Sequence, residues 1–199
     1  MTEFVTYLKL PPLPSWFLKS SKQIALDLDL SSPTSYSDNF TNHARPAETV
    51  TINKKTIQYG EFYHQSLTPI HYQWFSKHIS NNIPCPQVTI TTKGDLWPHQ
   101  DFHAEWSLNY FIDAGGDNVE TYWSQERGQP LRPGWKPLSH WRYHKELDEI
   151  YVGKIPVGQW VLIPVDIVHG TRNQTSDRIA LAVKLTTEQA NLLKKDYAS

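Results

Sequence analysis

Between residues 87 and 185 the chain is cut into short apolar runs by turn-forming residues, and this pattern constrains its fold more than any other feature. The runs are Gln87–Thr91, Trp106–Ile112, Glu120–Ser124, Glu149–Val152, Trp160–Pro164, Val168–Arg172 and Arg178–Leu185. Between them stand Ala114-Gly115-Gly116-Asp117-Asn118, Gly128-Gln129-Pro130, Arg132-Pro133-Gly134 and Pro156-Val157-Gly158. Runs of this length with Gly/Pro punctuation predict strands and tight turns, and so many short strands predict a sandwich or jelly roll rather than a parallel α/β fold. The aromatic content agrees, because Trp, Tyr and Phe favour a pleated, half-buried surface.

The last run shows how such a sheet would be used. Ile179, Leu181, Val183 and Leu185 make one purely apolar face, and Arg178, Ala180, Ala182 and Lys184 make the other. Side chains two apart share a face of a strand. The first face predicts a cover of helices. The second, with small residues and two cations, predicts a cavity wall suited to an anion.

The flanks predict supporting elements. Thr6 to Leu10 reads as a strand stopped by Pro11-Pro12-Leu13-Pro14, Trp16 to Leu28 as a short helix, and Thr49–Ile52 as a strand. Ser31 to Pro46 is rich in Ser, Thr, Asn and Pro and reads as a loop, with His43 and Arg45 as solvated loop residues. Thr68-Pro69 places a capping residue before a proline at the first helical position, so a helix is expected over Pro69–Ile79. Ile70, Trp74 and His78 would share a stripe, and His71 and His78 would be surface or interface histidines. A closing helix is expected over Thr187 to Tyr197. The whole is expected to be one domain over 1–199: N-terminal strands, loop and supporting helix to residue 86, a core over 87–185, and the helix at 187–197.

Within that frame one cluster carries chemistry. In Trp97-Pro98-His99-Gln100-Asp101-Phe102-His103 an imidazole and a carboxylate stand two residues apart, so on extended chain both can face one point. Two such groups hold a metal poorly, and His169 lies 70 residues on (169 − 99), with Arg178 nine beyond it (178 − 169). Two histidines and one carboxylate form a facial set for a metal with open positions. His103 shares the parity of His99 and Asp101 and offers a competing third ligand. Taken singly, His99 and His169 could be structural histidines and Asp101 a turn residue; Arg178 in phase favours the metal set. His140 and His144 fall in the long irregular stretch Val119–Trp141 and just beyond it, where they read as loop histidines near a substrate entrance.

Composition narrows the classes. Formal net charge is −1 and Lys/Arg form no cluster, which disfavours nucleic-acid binding through phosphates. One cysteine, Cys85, allows neither an internal disulfide nor a thiolate metal site, and reads as a buried thiol. No run reaches membrane-spanning length and the first ten residues are not a signal peptide, so a soluble, cytoplasmic protein is expected.

With these residues placed, the chain resembles the 2-oxoglutarate/Fe(II)-dependent oxygenase superfamily, and within it small members of the kind found in phages and marine microbes. The resemblance is carried by His99-Gln100-Asp101, Ser107-Leu108-Asn109-Tyr110-Phe111-Ile112 with its Gly-Gly turn, Thr121-Tyr122-Trp123, Val161-Leu162-Ile163-Pro164 leading to His169, and Arg178 opening the last strand. It spans about residues 87–185; residues 1–86 and 125–148 match no substrate-specific subfamily. It implies a double-stranded β-helix (jelly-roll) core, mainly β with flanking helices. It also implies Fe(II) on His99, Asp101 and His169, and 2-oxoglutarate as co-substrate with its distal carboxylate on Arg178. Asn109 and Ser107 would hydrogen-bond the co-substrate, and Trp123 would wall the pocket. The implied reaction consumes O2, releases succinate and CO2, and hydroxylates a small-molecule or peptide substrate; halogenation is disfavoured because Asp101 fills the position a halide needs. The competing readings are a cupin-type metalloenzyme without 2-oxoglutarate and a non-catalytic ligand-binding jelly roll. Neither substrate nor oligomeric state is set by the sequence.

Overall fold

The alternation in the last run is realised as two different environments on the two faces of one strand. The computed structural model of the chain describes residues 4–27, 48–52, 55–101, 104–127 and 147–198. In chain order the elements are β1 (Thr6–Leu8), α1 (Ser15–Leu26), β2 (Glu48–Ile52), β3 (Lys55–Tyr59), β4 (Phe62–Ser66), α2 (Pro69–His78), β5 (Gln87–Thr91) and β6 (Leu96–His99). There follow β7 (Trp106–Ala114), β8 (Glu120–Glu126), β9 (Leu147–Gly153), β10 (Trp160–Pro164), β11 (Val168–Arg172), β12 (Arg178–Leu185) and α3 (Thr187–Tyr197).

The strands form a six-stranded sheet, β1-β10-β7-β12-β5-β4, a four-stranded sheet, β6-β11-β8-β9, and the β2–β3 hairpin. Every ladder in them is antiparallel. From β5 to β12 the chain winds between the two larger sheets, giving β5-β12-β7-β10 opposite β6-β11-β8-β9. That order is the jelly roll, or double-stranded β-helix, expected from the sequence.

On the outer face of β12, Ile179, Leu181, Val183 and Leu185 are each at most 2% exposed. They join one cluster with Phe17 and Ala25 of α1, Phe75 of α2, and Ala190 and Leu193 of α3. Each such side chain contributes about 1.5–3 kcal/mol on burial. On the inner face, Ala180 belongs to a smaller cluster between the sheets with Phe111, Trp123, Val161 and Ile163. α3 is fixed at its start by a capping box, in which the Thr186 hydroxyl accepts from Gln189 N and the Gln189 side chain accepts from Thr186 N.

α2 departs from expectation in which face it buries. Pro69 stands in the first turn as anticipated, but the buried residues are His71 and Phe75, while Ile70 is 58% exposed. The Thr68 hydroxyl does not cap the helix; it bonds His71 Nδ1 at 2.7 Å. The other ring nitrogen of His71 meets Ser20 Oγ of α1 at 2.6 Å, and the Phe17 ring stands edge-on to it with centroids 4.5 Å apart. Of the two expected places for His71, surface or interface, it takes the interface between α1 and α2, and burial lowers its pKa. His78 is exposed and stacks on Trp74. β3, β4 and β6 were not anticipated. The expected loop over Ser31–Pro46 with His43 and Arg45, the residue His103, and His140 and His144 lie outside the described residues.

Candidate metal centre

The site begins with a proline in a strand. Pro98 has no N–H to give a ladder, and β6 accommodates it with an irregularity. His99 stands opposite His169 and Leu96 opposite Thr171, so three steps along β6 match two along β11. One extra residue in β6 is a β-bulge, which re-aims the side chains around it. Here it turns His99 onto the same side as His169, with ring centroids 4.3 Å apart.

Asp101 lies beyond the end of β6, where no ladder fixes it. Its N–H donates to the Val165 carbonyl at 2.8 Å, and the buried Gln100 side chain donates to the Asp166 carbonyl. Both acceptors lie in the turn from β10 into β11, the turn that delivers His169. The two halves of the cluster are thus tied together by the residues between and beside the ligands. Asp101 Oδ1 is 3.6 Å from His99 Nε2, and one ligand atom from each of His99, Asp101 and His169 lies within 4.8 Å of the others.

The histidine tautomers follow from elementary hydrogen bonding. His99 Nδ1 is 2.7 Å from the Trp97 carbonyl, and His169 Nδ1 is 2.9 Å from the Ile167 carbonyl. A carbonyl cannot donate, so each Nδ1 carries a proton and each ring, in its neutral form, presents Nε2 as a lone-pair donor. Fixing the outer nitrogen in this way orients a metal-binding imidazole. His169 is buried, and desolvation pulls its pKa down to about 4, with the Ile167 carbonyl opposing and the Arg178 charge adding to the fall. It is neutral at pH 7. The donor set, two imidazoles and a carboxylate brought together, fits a divalent metal with open positions.

Close packing explains Gly170, which follows His169. A Cβ there would stand 2.6 Å from the Tyr122 hydroxyl and 2.7 Å from the Leu96 carbonyl. Only glycine lets β11 approach β6 closely enough to bring the two histidines together.

The other anticipated residues are placed as follows. Arg178 opens β12, its guanidinium lies 4.3 Å from the Phe111 ring, and burial lowers its pKa to about 10, leaving it charged at neutral pH. Among the described residues its guanidinium has no hydrogen bond or ion pair. Ser107 and Asn109 lie on the same inner wall, opposite Lys184 and Ala182 of β12. They are buried and bond each other: Ser107 Oγ donates to Asn109 Oδ1 at 3.3 Å, and Asn109 Nδ2 to the Ser107 carbonyl at 3.2 Å. Trp123 pairs with His169 across β8 and β11, is fully buried between the sheets, and donates from Nε1 to the Pro164 carbonyl at 2.9 Å.

Two residues make contacts at the site that the sequence did not reveal. Gln100 is the clamp described above. Lys184, on the inner face of β12, places its ammonium against Asp101 Oδ2. Desolvation lowers its pKa to about 7, but half of its side chain reaches solvent and it faces a carboxylate, so the ion pair keeps it charged near neutral pH. The phase of Lys184 with Arg178 was visible in the sequence; its contact with Asp101 was not.

The fold and the cluster together define a jelly-roll protein with a candidate two-histidine, one-carboxylate metal centre. No family model and no curated protein matches the chain. Among solved structures it is similar to AviO1 from Streptomyces viridochromogenes Tue57, at 15% identity over 92% of this chain and 90% of that chain, with a TM-score of 0.44. HygX from Streptomyces hygroscopicus, with nickel and 2-oxoglutarate bound, is similar at 13% identity over 89% of this chain and 81% of that one, with a TM-score of 0.44. A prolyl-4-hydroxylase from Pseudomonas putida is similar at 8% identity over 92% and 93%, with a TM-score of 0.42. No helix among the described residues is long and apolar enough to cross a membrane.

Proposed function

We propose that this protein is a non-haem Fe(II) dioxygenase that uses 2-oxoglutarate, with His99, Asp101 and His169 as the iron ligands. Arg178 carries the reading. A charged guanidinium pressed into a protein interior without an anionic partner is costly, and a ligand carboxylate would satisfy it. It lies close enough to the triad for its charge to act on His169. The guanidinium fork matches the distal carboxylate of 2-oxoglutarate in geometry, as a lysine would not.

The residues then divide the work. The two Nε2 atoms and one Asp101 oxygen would hold the metal and leave it open positions for the keto acid and O2. Arg178 fixes the far end of the co-substrate, with Ser107 and Asn109 on the wall beside it. Phe111, Val161 and Ile163 keep the interior apolar. With iron and 2-oxoglutarate bound, the centre would supply the balanced reaction R–H + 2-oxoglutarate + O2 → R–OH + succinate + CO2. The substrate R–H is a small molecule or peptide.

Titration of 2-oxoglutarate into the Mn(II)-loaded protein tests this. Metal-dependent binding is expected, weakened on the order of 100-fold in Arg178→Met, since a charge-assisted pair contributes about 1.5–3 kcal/mol. A protein that binds metal through His99 and His169 but ignores 2-oxoglutarate is instead a cupin-type metalloprotein. One that binds no metal is a ligand-binding module.

A further inference from the structure

Lys184 has no part in the reaction above, yet it touches the ligand set. Asp101 uses its two oxygens differently: Oδ1 faces His99 Nε2 at 3.6 Å, while Oδ2 accepts from Lys184 Nζ. The Asp101 N–H bond to Val165 fixes the main chain at this point but leaves the side chain free to turn. Among the described residues, Lys184 is the group that engages Oδ2. Its own backbone is well anchored, because Val183 and Leu185 on either side are each 2% exposed in the helix-covered core, and it pairs with Ser107 of β7.

We infer that Lys184 is a positioning residue that holds Asp101 Oδ2, so that the carboxylate offers Oδ1 alone to the metal. This rests on the reading of His99, Asp101 and His169 as a metal centre. A carboxylate free to turn could present both oxygens and fill a position that the co-substrate or O2 requires; one held at Oδ2 cannot. The ammonium also aims the carboxylate before the metal arrives, which is how residues behind metal ligands raise affinity.

The inference opposes the simplest electrostatic expectation, and this makes it testable. If Lys184 acted only as a nearby positive charge, its removal would tighten binding of a divalent cation. If it positions Asp101, removal weakens binding. Anaerobic titration with Co(II), followed by its visible absorption, reads both affinity and coordination. Lys184→Met is expected to weaken Co(II) binding roughly 10- to 100-fold and to change the shape of the bands, with Lys184→Arg restoring most of both. The thermal midpoint of the metal-free protein should hardly move, since half of the Lys184 side chain is exposed; should Lys184→Met fail to fold, Lys184→Leu, which also lacks a donor, gives the same comparison. Equal or tighter Co(II) binding with unchanged bands in the variant overturns the inference and leaves the metal centre standing. Loss of His99- and His169-dependent Co(II) binding in the wild type overturns the metal centre, and the inference with it.

Discussion

The two faces of β12 are built from alternate residues of one eight-residue strand, yet they do different things. Outward, Ile179, Leu181, Val183 and Leu185 are sealed under three helices. Inward, two alanines separate a largely buried arginine with no anionic partner among the described residues from a lysine paired to a candidate metal ligand. The outer face has apolar area to remove from water and stabilises the fold. The inner face adds Ala180 to the smaller cluster between the sheets and otherwise carries charge, which contributes little to stability until a ligand arrives. Stability and chemistry are thus separated by the period of the strand.

This contrast can be broken from either side. Leu181→Ala, at a fully buried outer position, should cost about 2–5 kcal/mol by leaving a cavity, read as a fall in the denaturation midpoint, while folded protein still binds metal. Arg178→Met should do the reverse. Replacing a partly buried cation that has no anionic partner among the described residues with an apolar side chain is expected to leave stability unchanged or raise it, while 2-oxoglutarate binding drops. If Arg178→Met destabilises as much as Leu181→Ala, the division between the faces is wrong.

A third substitution tests the seam between β6 and β11. Gly170→Ala puts a methyl against the Leu96 carbonyl and the Tyr122 hydroxyl, which should cost about 1–3 kcal/mol as overpacking. It should also weaken metal binding, because the strands that relax apart carry His99 and His169. Unchanged metal affinity would show that the close approach of these strands does not set the site.

The smallest effect concerns pH. His71 is buried between α1 and α2 with its pKa held below 6.5 by desolvation. The unfolded chain takes up a proton near 6.5 before the folded chain does, so this contribution to stability is present above that pH and is lost as pH falls below it. One proton limits the slope to about 1.4 kcal/mol per pH unit. Denaturation of metal-free protein between pH 7.5 and 5.5 should show this slope reduced in His71→Gln; identical slopes would mean that His71 is protonated without penalty.

A sandwich or jelly roll was legible in the sequence because it is written in the spacing of short strands and turns. The candidate cluster of His99, Asp101 and His169 was legible in the intervals between those residues; the double-stranded β-helix came from the family resemblance. Strand alternation, Gly/Pro turns, and the intervals from His99 to His169 to Arg178 need no tertiary information. β6 was hidden because Leu96-Trp97-Pro98-His99 contains a proline, and the bulge that rescues it depends on pairing with β11. The buried stripe of α2 was hidden because Ile70, Tyr72, Trp74 and Phe75 put apolar residues all round the helix; the Ser20 and Phe17 partners in α1 select His71. The contacts of Gln100 and Lys184 were hidden because they join residues 66 and 83 apart in the chain; the phase of Lys184 put it on the inner face but could not show that it meets Asp101.

The central claim, that these residues assemble an iron site completed by 2-oxoglutarate, is tested most directly by the visible spectrum of the protein mixed anaerobically with Fe(II) and 2-oxoglutarate. A weak metal-to-keto-acid charge-transfer band is expected in the wild type. It should be absent in His99→Ala, and absent in Arg178→Met at co-substrate concentrations that saturate the wild type. Wild-type protein that binds Fe(II) tightly and shows no such band would contradict the account.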